Sequence, residues 1–352
     1  MRRHIYLICI LFLLTACQKK NLSNEVNVEF SNAVSEINYS TFVKSAEYLS
    51  LHLPDSVLIN TVEALYFDDG KIFVKDSKRE GIFIFDEKSG QFIHRLKAYG
   101  EGPREIKRIG SFCLDSYHKH ICIFDSGDNK IKRYDYSGNY VSSCAVDYFV
   151  LDMVQLQNDG MICFYPVYAY QEQPSGIWSV DSLNNFRKQL YAHVTEDCKF
   201  HYFPMMYNWN DTCAYYYDRN WNELLQVSAD TVRLLYTFNI ENALPLSKKG
   251  IRNLSPSDLD GYNIVHHFAY SEHFILLSVH TFNKNDMLSK NITWILFDQK
   301  TATTVVSESL RNDLVSNHDI GNNTLFYKNN STWVRIDDSS DSIIRLELLH
   351  LL

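Results

Sequence analysis

"KIFVKDSKREGIFIFDEKSGQFI" (residues 71–93) and "HICIFDSGDNKIKRYDYSGNYV" (residues 120–141) are two copies of one pattern. Ile72 matches Ile121, Asp76 matches Asp125, Ile82 matches Ile131, and Phe85-Asp86 matches Tyr134-Asp135, all at an offset of 49 residues. Gly90 and Gly138 fall 48 apart, after one deletion in a turn. Within each copy, short runs of β-branched and aromatic residues are separated by Asp/Gly turns, whose residues accept positive φ or form side-chain turns. A period of this length filled by short strands marks radially stacked sheets, or blades. Ile82 and Ile84 alternate with Phe83 and Phe85, so both faces of that strand are apolar. Such a sheet has to pack between two others, as a blade does.

Each copy reads as four strands, near 62–67, 71–75, 81–85 and 91–97 in the first. Second strands of later units begin near Ile162, Ala214, Ile275 and Leu325, which with Ile72 and Ile121 makes six units. The sixth is short, with "NTLFYKN", "TWVRIDD" and "IIRLELL" as its strands. A ring of blades must close, and "AEYLSLHL" (46–53) supplies a strand for the last blade, which removes free sheet edges. The expected fold class is all-β: a six-bladed β-propeller of four-stranded antiparallel blades over residues 44–352, closed by an N-terminal strand.

The corner "YGEGPREIKRI" (99–109) tests this reading, because Gly100-x-Gly102 also opens dinucleotide loops. That fingerprint needs a third glycine three residues on and a helix after it. Here Pro103 follows at once and position 105 is Glu. The segment sits between the last strand of unit one and the first of unit two, where the chain crosses from a blade's rim to the next blade's centre. The glycines are expected to take unusual backbone angles there, and Pro103 to block ladder pairing. The stretch "SVLINTVEALYFDDGKIFVKDSKREGIFIFDEKSGQFIHRLKAYGEGPREIKRIGSFCLD" resembles the six-bladed β-propeller lipoproteins of Bacteroidetes, which are NHL-like in pattern. The firm match covers residues 45–145. The pattern usually has glycine after the Gly-Pro step; Arg104 departs from it and is kept as a candidate ligand contact. The resemblance carries over no catalytic residues.

The N-terminus reads as an address. "MRRHIYLICILFLLTAC" has two arginines and then twelve uncharged residues, Ile5 to Ala16, too few for a bilayer span of about 20. It fits a secretory signal peptide over residues 1–16. Leu14-Thr15-Ala16-Cys17 resembles the lipobox of bacterial lipoproteins, which implies lipidation of Cys17 and a membrane anchor. Residues 17–43 read as a flexible polar tether, the 18–40 stretch reaching about 25–30 Å. Among such lipoproteins acidic residues after the cysteine accompany surface export; Gln18, Lys19 and Lys20 imply a periplasm-facing envelope protein instead.

Without residues 1–16 the chain has 32 basic and 42 acidic residues, a balance of −10. With no basic stripe, nucleic acid is excluded as a partner. No Gly-x-Ser-x-Gly elbow, His-Glu-x-x-His or Walker loop is present, no Cys-x-x-Cys points to zinc, and no cofactor, metal or catalytic residue is expected. His266 and His267 are adjacent in a strand and point to opposite faces. Asp76 and Asp125 read as strand-end residues capping backbone amides. Cys113 and Cys122 flank a turn and would face each other across a hairpin, giving a possible disulfide beside the default of buried thiols.

Residues 164–221 hold sixteen Phe, Tyr and Trp in 58 positions. Most serve packing, but Tyr168, Tyr170, Trp209 and Trp221 lie in or beside Gln-, Asn-, Pro- and Asp-rich segments. With Trp178 they are the candidate ligand-binding residues, suited to stacking on sugar rings or anchoring an envelope protein. An insertion, 241–265, joins units four and five; Ser257 is expected to cap a short helix with Asp258 in its first turn. Function divides into two expectations: a lipid-anchored, non-catalytic propeller binding a glycan or envelope protein, or a propeller enzyme such as a glycan or peptide lyase working at the central channel.

Overall fold

The computed structural model describes residues 24–352 apart from 60, 77–80, 157–159, 166–175, 182–183, 193–205, 211, 220, 245–255, 284–290, 316–317, 321–324 and 338–343. Three N-terminal strands, β1 (Glu25–Val28), β2 (Ile37–Asn38) and β3 (Val43–Leu51), precede the blades. Blade one comprises β4 (Val62–Asp68), β5 (Lys71–Asp76), β6 (Gly81–Asp86) and β7 (Phe92–Lys97). Blade two is β8 (Ile109–Asp115), β9 (His120–Asp125), β10 (Lys130–Asp135) and β11 (Tyr140–Ala145). Blade three is β12 (Asp152–Gln155), β13 (Met161–Tyr165), β14 (Gly176–Val180) and β15 (Phe186–Ala192). Blade four is β16 (Met206–Asn210), β17 (Cys213–Asp218), β18 (Glu223–Ser228) and β19 (Val232–Ile240). Blade five is β20 (Asn263–Tyr270), β21 (Phe274–Thr281), β22 (Asn291–Asp298) and β23 (Thr303–Ser307), followed by the small strands β24 (Leu310–Asn312) and β25 (His318–Asp319). Blade six has β26 (Leu325–Asn329), β27 (Thr332–Asp337) and β28 (Ile344–Leu351), and its fourth strand is β3.

The expected closure is therefore present. β3 pairs antiparallel with β28 from Leu51↔Ile344 to Val43↔Leu351. Five of the six expected second strands stand where the repeats place them. The sixth does not: Leu325 opens the first strand of blade six, and the second begins at Thr332. The first strands β4, β8, β12, β16, β20 and β26 form the inner ring, β26 touching β4 across the junction of last and first blades.

Hydrophobic burial is organised between blades. Ile82 and Ile84 pack towards blade two, while Phe83 and Phe85 pack towards blade six. The remaining junctions are filled in the same way, with Phe124 and Met153 between blades two and three, and Val154 and Tyr216 between three and four. Val28, Phe268 and Phe297 fill four to five, and Phe274 and Trp333 fill five to six. Each fully buried aliphatic or aromatic side chain contributes roughly 1.5–3 kcal/mol, so the ring is held by its junctions as much as by its ladders.

The corner at 99–109 has the expected role but a different backbone. Tyr99, and neither glycine, takes the left-handed φ, at 66°. Gly100 is needed for close approach instead, since a Cβ there would lie 2.4 Å from Glu105 Cβ. The amide of Gly102 donates to Glu105 Oε2 at 2.8 Å and fixes the turn. Asp125, at the end of β9, accepts from the amides of Lys107 (2.8 Å), Arg108 (2.9 Å) and Gly127 (3.0 Å). Its second function is a buried ion pair with Lys132 Nζ at 2.7 Å, both side chains fully buried. Asp76 repeats the motif in blade one, accepting from the Thr61 amide.

The N-terminal segment is not all tether. From residue 25 onwards it is strapped to the ring. β1 adds to β19 in parallel, with Val26 and Val28 buried and Glu25 and Asn27 outward. The Val34 amide then donates to Val306 O, β2 pairs in parallel with β24, and β3 closes blade six. Alternation in "EVNV" (25–28) buries two valines, and that outweighs the polar composition around them. Residues 17–23 and the signal peptide lie outside the described residues.

The Cys113–Cys122 register is as expected, the two residues being direct partners in the β8–β9 ladder. Both are buried free thiols, and the hydrogen bond with Cys122, then burial, holds Cys113 well above the ordinary thiol range. In the 241–262 connection the helix runs Pro256–Leu259, so Ser257 lies inside its first turn with Asp258 rather than capping it.

His267 on β20 donates through Nε2 to the Leu325 carbonyl of β26, joining blades five and six. His266 is exposed and stacks on His280 at 4.2 Å. Burial holds the His267 imidazole down to about 4, against an unfolded value near 6.5. Between those values the unfolded chain binds a proton that the folded chain refuses. Stability at this site is thus full above about pH 6.5 and falls as pH drops towards 4, by up to about 1.4 kcal/mol per unit. Urea midpoints at pH 7, 6 and 5 are expected to fall in that order, and to fall less in His267→Gln.

Candidate functional site

The strongest candidate site is a cleft of about 450 Å³ on the rim of blade four, lined by Asn27, Glu29, Trp221, Asn222, Asn239 and Glu241 over an apolar floor of Val28, Phe238 and Ile240. This volume lies in the range of small-ligand sites. Its construction follows from strand lengths. β18 begins at Glu223, opposite Thr237 of β19, and β19 runs on to Ile240. The overhang pairs with β1, and the loop before β18 folds over it, Phe238 N donating to Asn222 O at 2.8 Å. Asn222 makes that turn in the left-handed region, φ 52°, which asparagine tolerates.

Trp221 is half-buried in this loop, and among the described residues it makes no hydrogen bond and stacks on no ring. An indole so placed is an aromatic platform with a donor at its edge. Around it the polar groups are ordered by one another. Asn239 Nδ2 donates to Asn27 Oδ1 at 2.9 Å, which fixes both amides and leaves the Asn27 donors and the Asn239 acceptor facing outward on exposed side chains. Glu241 Oε2 accepts from the Phe30 amide at 2.8 Å, and Glu29 Oε2 accepts from Asn32 Nδ2 at 2.9 Å. One oxygen of each carboxylate is thus spent on holding the strap, and the other accepts no hydrogen bond among the described residues. A flat apolar face beside paired amides and carboxylates can bind a ring that carries hydroxyl groups. Clustered carboxylates disfavour an anionic ligand.

Of the other expected site residues, Arg104 and Trp178 are not gathered here. Arg104 is on the corner between blades one and two, its carbonyl accepting from Tyr134 Oη at 2.8 Å and its guanidinium 5.7 Å from the Tyr140 ring. Trp178 stacks on Phe186 at 4.9 Å, and Phe186 on Tyr148 at 4.0 Å, so it packs rather than presents. Trp209 is within β16, its side chain outside the described residues, as are Tyr168 and Tyr170. Asn27, Glu29, Asn239 and Glu241 were not anticipated, because they become neighbours only through the β1–β19 pairing.

A second polar group ties blades three and four: Tyr191 Oη donates to Asp218 Oδ2 at 2.8 Å and lies 3.5 Å from Glu223 Oε2. Burial, then the neighbouring Asp218, pushes the Glu223 carboxyl up. Asp218 is fully buried and already holds the phenol, so the trio works as an inter-blade strut. Among the described residues no three His, Cys, Asp or Glu side chains gather as metal donors would.

The model of one protein family, a domain of unknown function designated DUF4934, matches residues 23–342. The chain belongs to that family. The DUF4934 propeller is similar in fold to a protein from Bacteroides fragilis described as exported, with a TM-score of 0.70 and 15% identity over 93% of this chain and 99% of that one. It is also similar to a member of the DUF4221 family from Bacteroides vulgatus, with a TM-score of 0.56 and 8% identity over 88% of this chain and 97% of that one. No curated protein matches the sequence. At these identities the likeness establishes the six-bladed architecture and leaves function to the site.

Proposed function

We propose that this protein is a lipid-anchored binding module of the bacterial cell envelope, periplasm-facing, that holds a saccharide in the Trp221 cleft without transforming it. The observation that carries the reading is Trp221 itself: a half-buried indole without a hydrogen-bond or ring partner among the described residues, set among Asn27, Asn239, Glu29 and Glu241. Stacking supplies affinity for the apolar face of a sugar ring, and the fixed amides and carboxylates read its hydroxyl groups. The envelope address is supported by the lipobox ending at Cys17 and by likeness to a protein described as exported.

The mature protein is expected to retain neutral oligosaccharides on a glycan array and to release them unchanged in mass. Recovery of shortened or unsaturated products would instead establish the lyase reading. Retention of an envelope protein, with silence on the array, would remove the saccharide.

A further inference from the structure

We infer that the rim of blades four to six lies against the membrane, so that the Trp221 cleft opens at the level of the lipid headgroups. This rests on the reading of Cys17 as the lipid anchor, and it assigns the partner of a surface: a bilayer. Among the described residues, the strand that walls the cleft is the first after the anchor. Cys17 and Asn24 are seven residues apart, and a chain of that length spans at most about 23–25 Å. Whatever path those residues take, β1 cannot leave the headgroups by more than that distance. Asn27, Val28 and Glu29, which line the cleft, follow within the next five positions.

The surface along the strap agrees with this placement. Val34 stands exposed beside the hydrogen bond from its amide to Val306. Leu314 and Val315 are exposed next to Asp313, which receives the Ser40 amide at 3.0 Å. Leu352 is exposed where its amide donates to Phe42 O at 3.0 Å. Four of the eleven exposed large apolar side chains among the described residues therefore follow the same strap that leads from the anchor, the other seven being spread over the rest of the ring. Exposed apolar side chains gain free energy by entering the interfacial zone, whereas in free solution they stay in contact with water.

The test uses the lipidated protein in phosphatidylcholine vesicles doped with dansyl-phosphatidylethanolamine, with Trp221 as energy donor. The transfer lost on Trp221→Phe isolates its share from that of the other four tryptophans. That share is expected to be substantial, and to fall at least two-fold when 20 Gly/Ser residues are inserted between Lys20 and Asn21. The lengthened tether then has a root-mean-square reach of about 30 Å. A share indistinguishable from zero, or one unchanged by the insertion, overturns the placement. Failure of the anchor itself reads differently, as protein without acyl mass that does not float with the vesicles, and saccharide binding is scored separately on soluble protein.

Discussion

A chain lacking β3 (residues 43–51) is expected not to fold cooperatively. β28 would keep β27 but lose its other antiparallel partner over the whole ladder from Ile344 to Leu351, leaving a free edge on blade six. Val43 and Leu51 are buried, and they pack into two different junctions, Val43 between blades five and six and Leu51 between six and one. Losing the strand therefore opens both junctions of the closing blade. The residues just after it are also committed: His52 N donates to Gly90 O at 2.8 Å, and a Cβ on Gly90 would lie only 2.0 Å from Ser50 O. Circular dichroism melts of the truncated and full mature chains provide the measurement; a truncated chain melting in one sharp step near the parent's midpoint would contradict closure by this strand. The smaller change Leu51→Ala is expected to cost about 2–5 kcal/mol, as for other buried leucines.

A second large loss of stability is expected at Asp125. Asp125→Asn removes the partner of a fully buried Lys132 ammonium and one of the acceptors for the Lys107 and Arg108 amides. Breaking a buried pair from one side costs about 3–5 kcal/mol, because the remaining charge stays uncompensated. The Asp128 carboxylate at 3.0 Å and the Glu105 carbonyl soften the loss, as both also accept from Lys132. Burial alone would push the Asp125 carboxyl up; the hydrogen bonds from Lys132 and from the two amides outweigh it and bring it below the usual range. Asp128, hydrogen-bonded to Lys107 and Lys132, is lowered to about 2. Depressed carboxyl values give stability that is whole above about pH 4 and lost as pH falls towards 2. Urea unfolding at pH 7 should show the loss, and the variant should lose less on acidification to pH 3. A cost under about 1 kcal/mol, the size of a surface ion pair, would contradict the structural role given to this pair.

How much of this was legible in sequence depends on whether a feature is local. The blade pattern of Ile82–Phe85 is local, and both faces of that strand are buried as its alternation implies; in the copy Ile131 and Tyr134 are buried likewise, and Lys132 is sunk through its ion pair with Asp125. Asp76 and Asp125 were legible for the same reason, each closing its second strand onto the preceding corner. The period fades where strands lengthen to eight residues, as in β20–β22, and it misplaces the second strand of blade six by one strand. The backbone of the 99–109 corner was read from its glycines, whereas the left-handed residue is Tyr99, and Gly100 is required because Glu105 claims the space that a Cβ would need.

The candidate site was half legible. Trp221 stood out as an aromatic in an Asn/Asp-rich turn, and it does line the cleft. Trp178, taken from the same aromatic-rich stretch, stacks in the ring, because its strand pairing brings Phe186 over it. Nothing local connects Asn27 and Glu29 to Trp221. That link is made by a parallel pairing across more than 200 residues of sequence, in a stretch whose Asn/Ser content read as tether. The two-residue alternation of Val26 and Val28 was the available signal.

The most direct test of the binding reading is a calorimetric titration of array-retained oligosaccharides into the mature protein and into Trp221→Ala. The account predicts binding with the parent and a loss of about 2 kcal/mol or more with the variant, roughly 30-fold in Kd, at an unchanged melting temperature. Equal affinity in the two proteins, with both folded, would contradict it.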